Sequence, residues 1–154
     1  MRAEPLVALR PAGLGDSDRL REWRNDPVTR AASRNTAEAT PDEHAAWLAR
    51  RLGDPDTRIF IVEHRGEPSG TVRVDRLAGD RGEIHVSLAP EARGHRLAAP
   101  ALRAAARRGA AELGLATIEA TVREDNVPSL RAFARAGFEP AGRDGDFVIL
   151  VWRP

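Results

Sequence analysis

Between Ile84 and Leu113 the chain passes from an alternating strand, through a short basic loop, into a long helix with a small-residue face. Leu102, Ala105, Ala106, Gly109 and Leu113 recur at helical spacing, so most of the inner stripe is Ala or Gly. A stripe this thin brings the helix axis close to whatever it covers. The strand before it alternates, with Ile84, Val86 and Leu88 on one side and Glu83, His85 and Ser87 on the other. A helix that packs closely and a strand with one apolar face imply layered α/β architecture.

The flanking segments fit that architecture. Residues 6–10 form a first short strand, ended by Pro11 and Gly13. Asp16 or Ser17 can cap a helix bearing Leu20 and Trp23, which Pro27 is expected to end. Thr40-Pro41-Asp42-Glu43 has the form of a capping box with Pro at the first helical position. Its helix carries Trp47, Leu48 and Leu52 and stops at Gly53. A β-meander follows: a nearly continuous apolar run at 58–62, an alternating strand at 71–75 and the strand at 83–88, with turns near Gly66 and Gly79. Beyond the long helix, Gly114 is a natural C′ residue. A strand at 116–122, a helix opened by Pro128 and stopped at Gly137, and two strands joined at Asp144-Gly145 complete the chain. Length and pattern suit one domain, residues 1–154, with no linker or repeat.

Composition removes several chemistries. There is no Cys, which excludes disulfides, thiolate metal ligands and a cysteine nucleophile; no metal is expected. All 24 basic residues are Arg, so no side-chain amine exists for a Schiff base. A net charge of +1 disfavours a broad nucleic-acid footprint. No apolar run reaches the ~18 residues of a membrane span, and the start Met1-Arg2-Ala3-Glu4-Pro5 lacks signal-peptide architecture. A cytoplasmic protein that engages neither membrane nor nucleic acid is expected.

The loop before the long helix is the first place for function. A helix N-terminus leaves backbone N–H groups unpaired and carries partial positive charge, which favours an anion. Arg93 and Arg96 add charge, and Gly94 lets a ligand approach the backbone. An oligophosphate suits such a place; a solvated basic turn has the same spacing.

Ala89-Pro90-Glu91-Ala92-Arg93-Gly94-His95-Arg96-Leu97-Ala98 resembles the acetyl-CoA pyrophosphate loop of the GNAT superfamily of N-acetyltransferases. That pattern is Arg or Gln, two residues, Gly, one residue, then Gly or Ala. Arg93 and Ala98 fit its ends, while Arg96 stands where the central Gly is usual. Asn126-Val127-Pro128-Ser129 through Gly137-Phe138 resembles the family's downstream segment along the CoA arm. The order of elements fits over essentially the whole chain.

The resemblance implies a mixed α+β fold: a mostly antiparallel sheet of about seven strands flanked by about four helices. Acetyl-CoA would lie in a V-shaped opening between the strands at 83–88 and 116–122. It would be held by Leu88, Arg93, Gly94, His95, Arg96, Leu97, Ala98, Asn126, Ser129 and Phe133. Arg96 would either crowd the pyrophosphate or turn its guanidinium onto a phosphate. Many relatives place a Tyr four residues past Ser129 to protonate the leaving thiolate. Phe133 stands there, and the chain has no Tyr, so water or Ser129 would supply that proton.

The implied reaction is direct acetyl transfer to a primary amine in a ternary complex, since no Cys can carry the acyl group. The base would be Glu83 or His85, and a backbone N–H near Leu88 would polarise the carbonyl. Trp23, Arg24, Asn25, His44, Trp47 and Arg73 resemble the acceptor-binding residues of members that acetylate a nucleotide-linked amino sugar, as in pseudaminic-acid biosynthesis. Ribosomal-protein N-terminal acetyltransferases share a similar Trp-Arg segment. The missing Tyr and Arg96 also suit a non-catalytic acyl-CoA-binding module. Homodimers are frequent in the family, and Trp23 and Trp47 can equally be core residues of amphipathic helices.

Overall fold

A computed structural model describes residues 3–154; Met1 and Arg2, where the leader reading begins, lie outside them. Seven strands form one sheet in the order β1-β2-β3-β4-β5-β7-β6. They are β1 (Ala8–Pro11), β2 (Thr57–His64), β3 (Glu67–Ala78), β4 (Arg81–Leu88), β5 (Thr117–Arg123), β6 (Glu139–Asp144) and β7 (Phe147–Trp152). Every neighbouring pair is antiparallel except β4 and β5. A parallel pair requires a crossover, and the long helix supplies it.

Five α-helices flank the sheet, one more than the resemblance implies: α1 (Ser17–Asn25), α2 (Pro27–Ala32), α3 (Pro41–Leu52), α4 (Ala98–Leu113) and α5 (Val127–Arg135). The extra one is α2. Pro27 does not merely end a helix; it occupies the first position of the next, where its missing N–H costs nothing. Asp26 caps α2 by accepting from the Val28 and Thr29 N–H groups. Thr40 caps α3 through the Glu43 N–H, at 3.2 Å. No helix is long and apolar enough to cross a membrane among the described residues.

Each face of the sheet has its own core. On one side Phe60, Val72, Val74, Ile84 and Ile118 pack against α4 and α5. On the other, Ile59 and Ile61 meet Leu20 and Trp23 of α1 and Leu48 of α3. Small residues set the first contact: a Cβ built on Gly109 would lie 2.9 Å from both Val74 methyl carbons. Helix α4 thus rests on β3 at a spacing that only glycine permits there.

Asp16 or Ser17 was expected to cap α1; Ser17 is its first residue, and the cap position falls to Asp16. Asp16 spends its carboxylate elsewhere. Arg10 grips both oxygens at 2.8 and 2.9 Å, Arg19 adds a bond at 3.1 Å, and the Gly13 N–H adds one at 2.9 Å. This knot ties β1 to the start of α1.

The Arg10 guanidinium, followed by the Gly13 N–H, outweighs burial and holds the Asp16 carboxyl down at about 2. Its folded value lies below its unfolded one, so its stabilisation is complete above about pH 4 and is lost as pH falls through about 2. Asp16→Asn should cost about 1–2 kcal/mol at pH 7 and much less at pH 2, as read by urea unfolding at both. Gly109→Val should cost at least about 2 kcal/mol through overpacking, as measured by the same method at pH 7.

Candidate active site

The one parallel contact in the sheet is short. Strand β4 meets β5 only at Arg81–Thr117, Gly82–Ile118 and Glu83–Glu119. Past Glu83 the two strands have no ladder pairs, although β4 stays paired to β3 as far as Leu88 and β5 to β7 as far as Arg123. Backbone groups facing the gap are therefore free for a ligand. This is the V-shaped opening expected between the two strands.

The loop at the wide end of the gap has a strained backbone. Gly94 and Arg96 both have positive φ, at 79° and 62°. The left-handed region costs a residue with a Cβ about 1–2 kcal/mol, so Arg96 occupies a glycine geometry without being glycine. The exposed side chains of His95 and Arg96 surround the loop. Ala98 is the first residue of α4, and no side chain caps that helix, unlike α2, α3 and α5. Its unpaired N–H groups are open to an anion.

Arg93 does not point into this cradle. One of its guanidinium nitrogens donates to Asp26 at 2.6 Å and to Thr29 Oγ1 at 3.0 Å, joining the loop to α2. Leu97 is core, only 1% exposed, so just its backbone is available, while Leu88 is half-buried against the same cluster. On α5, Asn126 Oδ1 accepts from the Ser129 N–H at 3.3 Å and caps the helix. Phe133 is also core: it packs edge-on against Phe138, with ring centres 5.0 Å apart.

The catalytic candidates on β4 are brought together with partners on β3. In the register, Arg73 faces His85 and Asp75 faces Glu83. Glu83 Oε1 lies 3.5 Å from His85 Nε2, and Asp75 Oδ2 lies 4.0 Å from the same nitrogen. Asp75, only 8% exposed, is the residue that sequence reasoning missed. It accepts from Thr57 Oγ1 and Arg73 Nε, each at 2.9 Å, and from Arg51 at 3.4 Å. The alternating pattern had placed Arg73 and Asp75 on one face; the missing signal was the register with β4.

Burial, followed by the Asp75 charge, raises the Glu83 carboxyl above its ordinary range and makes it a better proton acceptor. His85 is pushed down to about 4, first by burial and then by the Arg73 guanidinium. Its side chain is still 45% accessible, and water at the outer edge tempers the shift without reversing it. The imidazole is neutral at pH 7 and can pass a proton without itself holding charge.

The expected acceptor residues divide. Arg73 and Arg51 hold their guanidinium carbons 5.3 and 5.9 Å from the centre of the half-buried Trp47 ring. His44 packs against Trp47 but is 3% exposed, and burial, then Arg24 and Arg21, lower its affinity for a proton. Trp23 is corrected to a core residue, 5% exposed, with no ring face to offer a ligand. Asn25 exchanges two 2.8 Å hydrogen bonds with the Ala39 backbone, pinning the segment before α3. Arg24 reaches the Ala37 carbonyl at 3.4 Å.

The strain at Arg96 predicts that Arg96→Gly raises stability by about 0.5–1 kcal/mol, the relieved cost less glycine's extra unfolded-state entropy. Urea unfolding without ligand checks this.

Comparisons with known proteins agree with this layout. Aminoglycoside acetyltransferase AAC(6′)-Ib, solved with paromomycin and acetyl-CoA, superposes with a TM-score of 0.82 at 21% identity, covering 96% of this chain and 93% of that one. Spermidine N-acetyltransferase from Vibrio cholerae, solved with CoA and spermine, gives 0.86 at 19% identity, covering 96% and 95%. No curated protein sequence matches. Residues 7–139 match the family described as "Acetyltransferase (GNAT) domain". A match over that much of the chain, on a sheet that opens between β4 and β5, shows that the protein belongs to the GNAT acetyltransferase family.

Proposed function

We propose that the protein transfers the acetyl group of acetyl-CoA to a small cationic primary amine, with Glu83 as the general base. The observation that carries this reading is the cluster of Glu83 and His85, on the strand that borders the gap, with Asp75 of β3 beside them. The free backbone along β4 suits the amide-bearing pantetheine arm, and the uncapped start of α4 suits the pyrophosphate. Free backbone and open N–H groups fit the coenzyme, so the residues present match the family's cosubstrate.

The chain's residues divide the work simply. Glu83 takes the proton that the arriving ammonium must lose, directly or through the neutral His85 ring. The nitrogen then forms its bond to the acetyl carbon as the carbon–sulfur bond breaks, and the thiolate takes up a proton. A free N–H at the open end of β4 stabilises the developing oxyanion. Phe133 has no proton to give, and Ser129 is the hydroxyl on α5 nearest the family's usual donor position. Direct transfer follows from the lack of a cysteine carrier.

Charge selects the acceptor. Burial first and then the Asp75 charge raise the proton affinity of Glu83, with Arg73 opposing and Glu119 adding. A carboxylate base at this position suits an acceptor that arrives as an ammonium. The nucleotide-linked amino sugar finds no support here. Arg73 bonds Asp75 and lies over Trp47, while Trp23 is buried. Paromomycin and spermine, bound in the solved relatives, are cationic amines, in keeping with a carboxylate base. We assign the single domain to residues 1–154 and leave the N-terminal-peptide acceptor as an arm of the test.

The test is free-thiol release with acetyl-CoA across polyamines, aminoglycosides, amino-sugar nucleotides and peptides. Turnover confined to the cationic small amines supports the proposal; turnover only with nucleotide sugars or peptides overturns the acceptor assignment. CoA binding without turnover on any amine would instead identify a binding module. Glu83→Gln should lower kcat about 10²-fold or more while CoA affinity stays within about twofold. In the wild type, kcat/KM should fall as pH drops through the raised Glu83 value, and that limb should vanish in the variant.

A further inference from the structure

Among the described residues several arginines have no carboxylate partner, and three of these border one groove. A groove of about 610 Å³ lies between the middle of α4, the end of α5 and the end of β7. Four guanidinium groups border it: Arg103, Arg107, Arg135 and Arg153. Its floor includes Ala110 and Gly137, whose small side chains leave the volume open. Arg107, Arg135 and Arg153 are exposed, and no carboxylate pairs with them among the described residues.

The rim already holds one anion. Glu4 accepts from the two Arg103 terminal nitrogens at 2.5 and 3.1 Å, the forked geometry in which a guanidinium holds carboxylate or phosphate. Arg103 also donates to the Arg135 carbonyl at 2.7 Å, which fixes that fork at the groove edge. The Glu4 carboxyl is held below its ordinary range by Arg103, with Arg135 and Arg96 contributing through space, although it lies near the surface.

The groove is not part of the acetyl-transfer cleft. It is built on α4 and α5, on the side of the sheet that Val72 and Val74 face. Arg73 and Asp75 alternate with those residues and turn to the opposite side, toward Trp47 of α3. The pyrophosphate cradle sits at the first turn of α4, whereas Arg107 lies two and a half turns further on.

We propose that this groove binds a phosphate-bearing small molecule of nucleotide size, at a site separate from the cleft. The volume is that of a small-ligand pocket. Three unpaired guanidinium groups around it match an oligophosphate better than a single carboxylate, which one fork satisfies.

Isothermal titration with tripolyphosphate and with ATP, at low salt and with the protein already saturated with CoA, tests the assignment without reference to catalysis. Saturable binding to one site is expected, weakened at least tenfold in Arg107→Ala/Arg153→Ala and severalfold by 0.3 M NaCl. Arg50→Ala/Arg65→Ala removes equal charge elsewhere and should leave binding unchanged; unfolding curves confirm that both variants remain folded. Three results overturn the proposal: no saturable binding, equal loss in both double variants, or tripolyphosphate binding to the CoA-free protein that CoA saturation abolishes. The last would assign the phosphate site to the coenzyme cleft. Loss of acetyl transfer in the amine assay has no bearing on any of these outcomes.

Discussion

The architecture depends on one short stretch of parallel pairing. Three residue pairs join β4 to β5, and beyond them the sheet divides into two wings, each satisfied by its own outer neighbour. So few backbone bonds do not hold the wings at a fixed angle. Helix α4 does, because its inner stripe touches Val72, Val74 and Ile84 of one wing and shares a core with Ile118 and Ala120 of the other. Glycine at position 109 brings that helix close enough for both contacts. The gap exists because the helix braces it, and the same helix presents its open N-terminus to the wide end.

Electrostatics in the cleft follow from stacking charges on one pleated face. Two antiparallel strands whose outward residues are charged place those residues opposite each other: Arg73 with His85, Asp75 with Glu83. Asp75 is held in a nearly buried position, where hydroxyl and guanidinium groups saturate its oxygens. Glu83 has no guanidinium of its own and feels the neighbouring negative charge. One carboxylate is therefore fixed and the other is free to take a proton, a division of labour set by partners rather than by residue type.

Much of this was legible in the sequence, for physical reasons. Period-two alternation located β3 and β4, small residues at helical spacing identified α4 as a close-packed helix, and Gly-containing turns marked the meander. Glu83 and His85 could be placed on a polar face, and Arg96 could be seen to stand at a usual glycine position, while its φ of 62° needed the structure. Partners distant along the chain were not legible. Arg93 and Asp26 are 67 residues apart, and nothing local marks their union. Trp23 has the same spacing whether its ring faces a ligand or the core. Helix α2 was missed because proline punctuates both the end of one helix and the start of another, and only the Asp26 cap tells them apart.

The bond from Arg93 to Asp26 has a mechanical consequence. It fastens the loop after β4, at the wide end of the gap, to the corner between α1 and α2, so these two lips form one piece. A disturbance that loosens either lip is transmitted to the other. By thermodynamic reciprocity, whatever occupies one side of such a hinge-less jaw shares its ordering with the opposite side to the same extent in both directions.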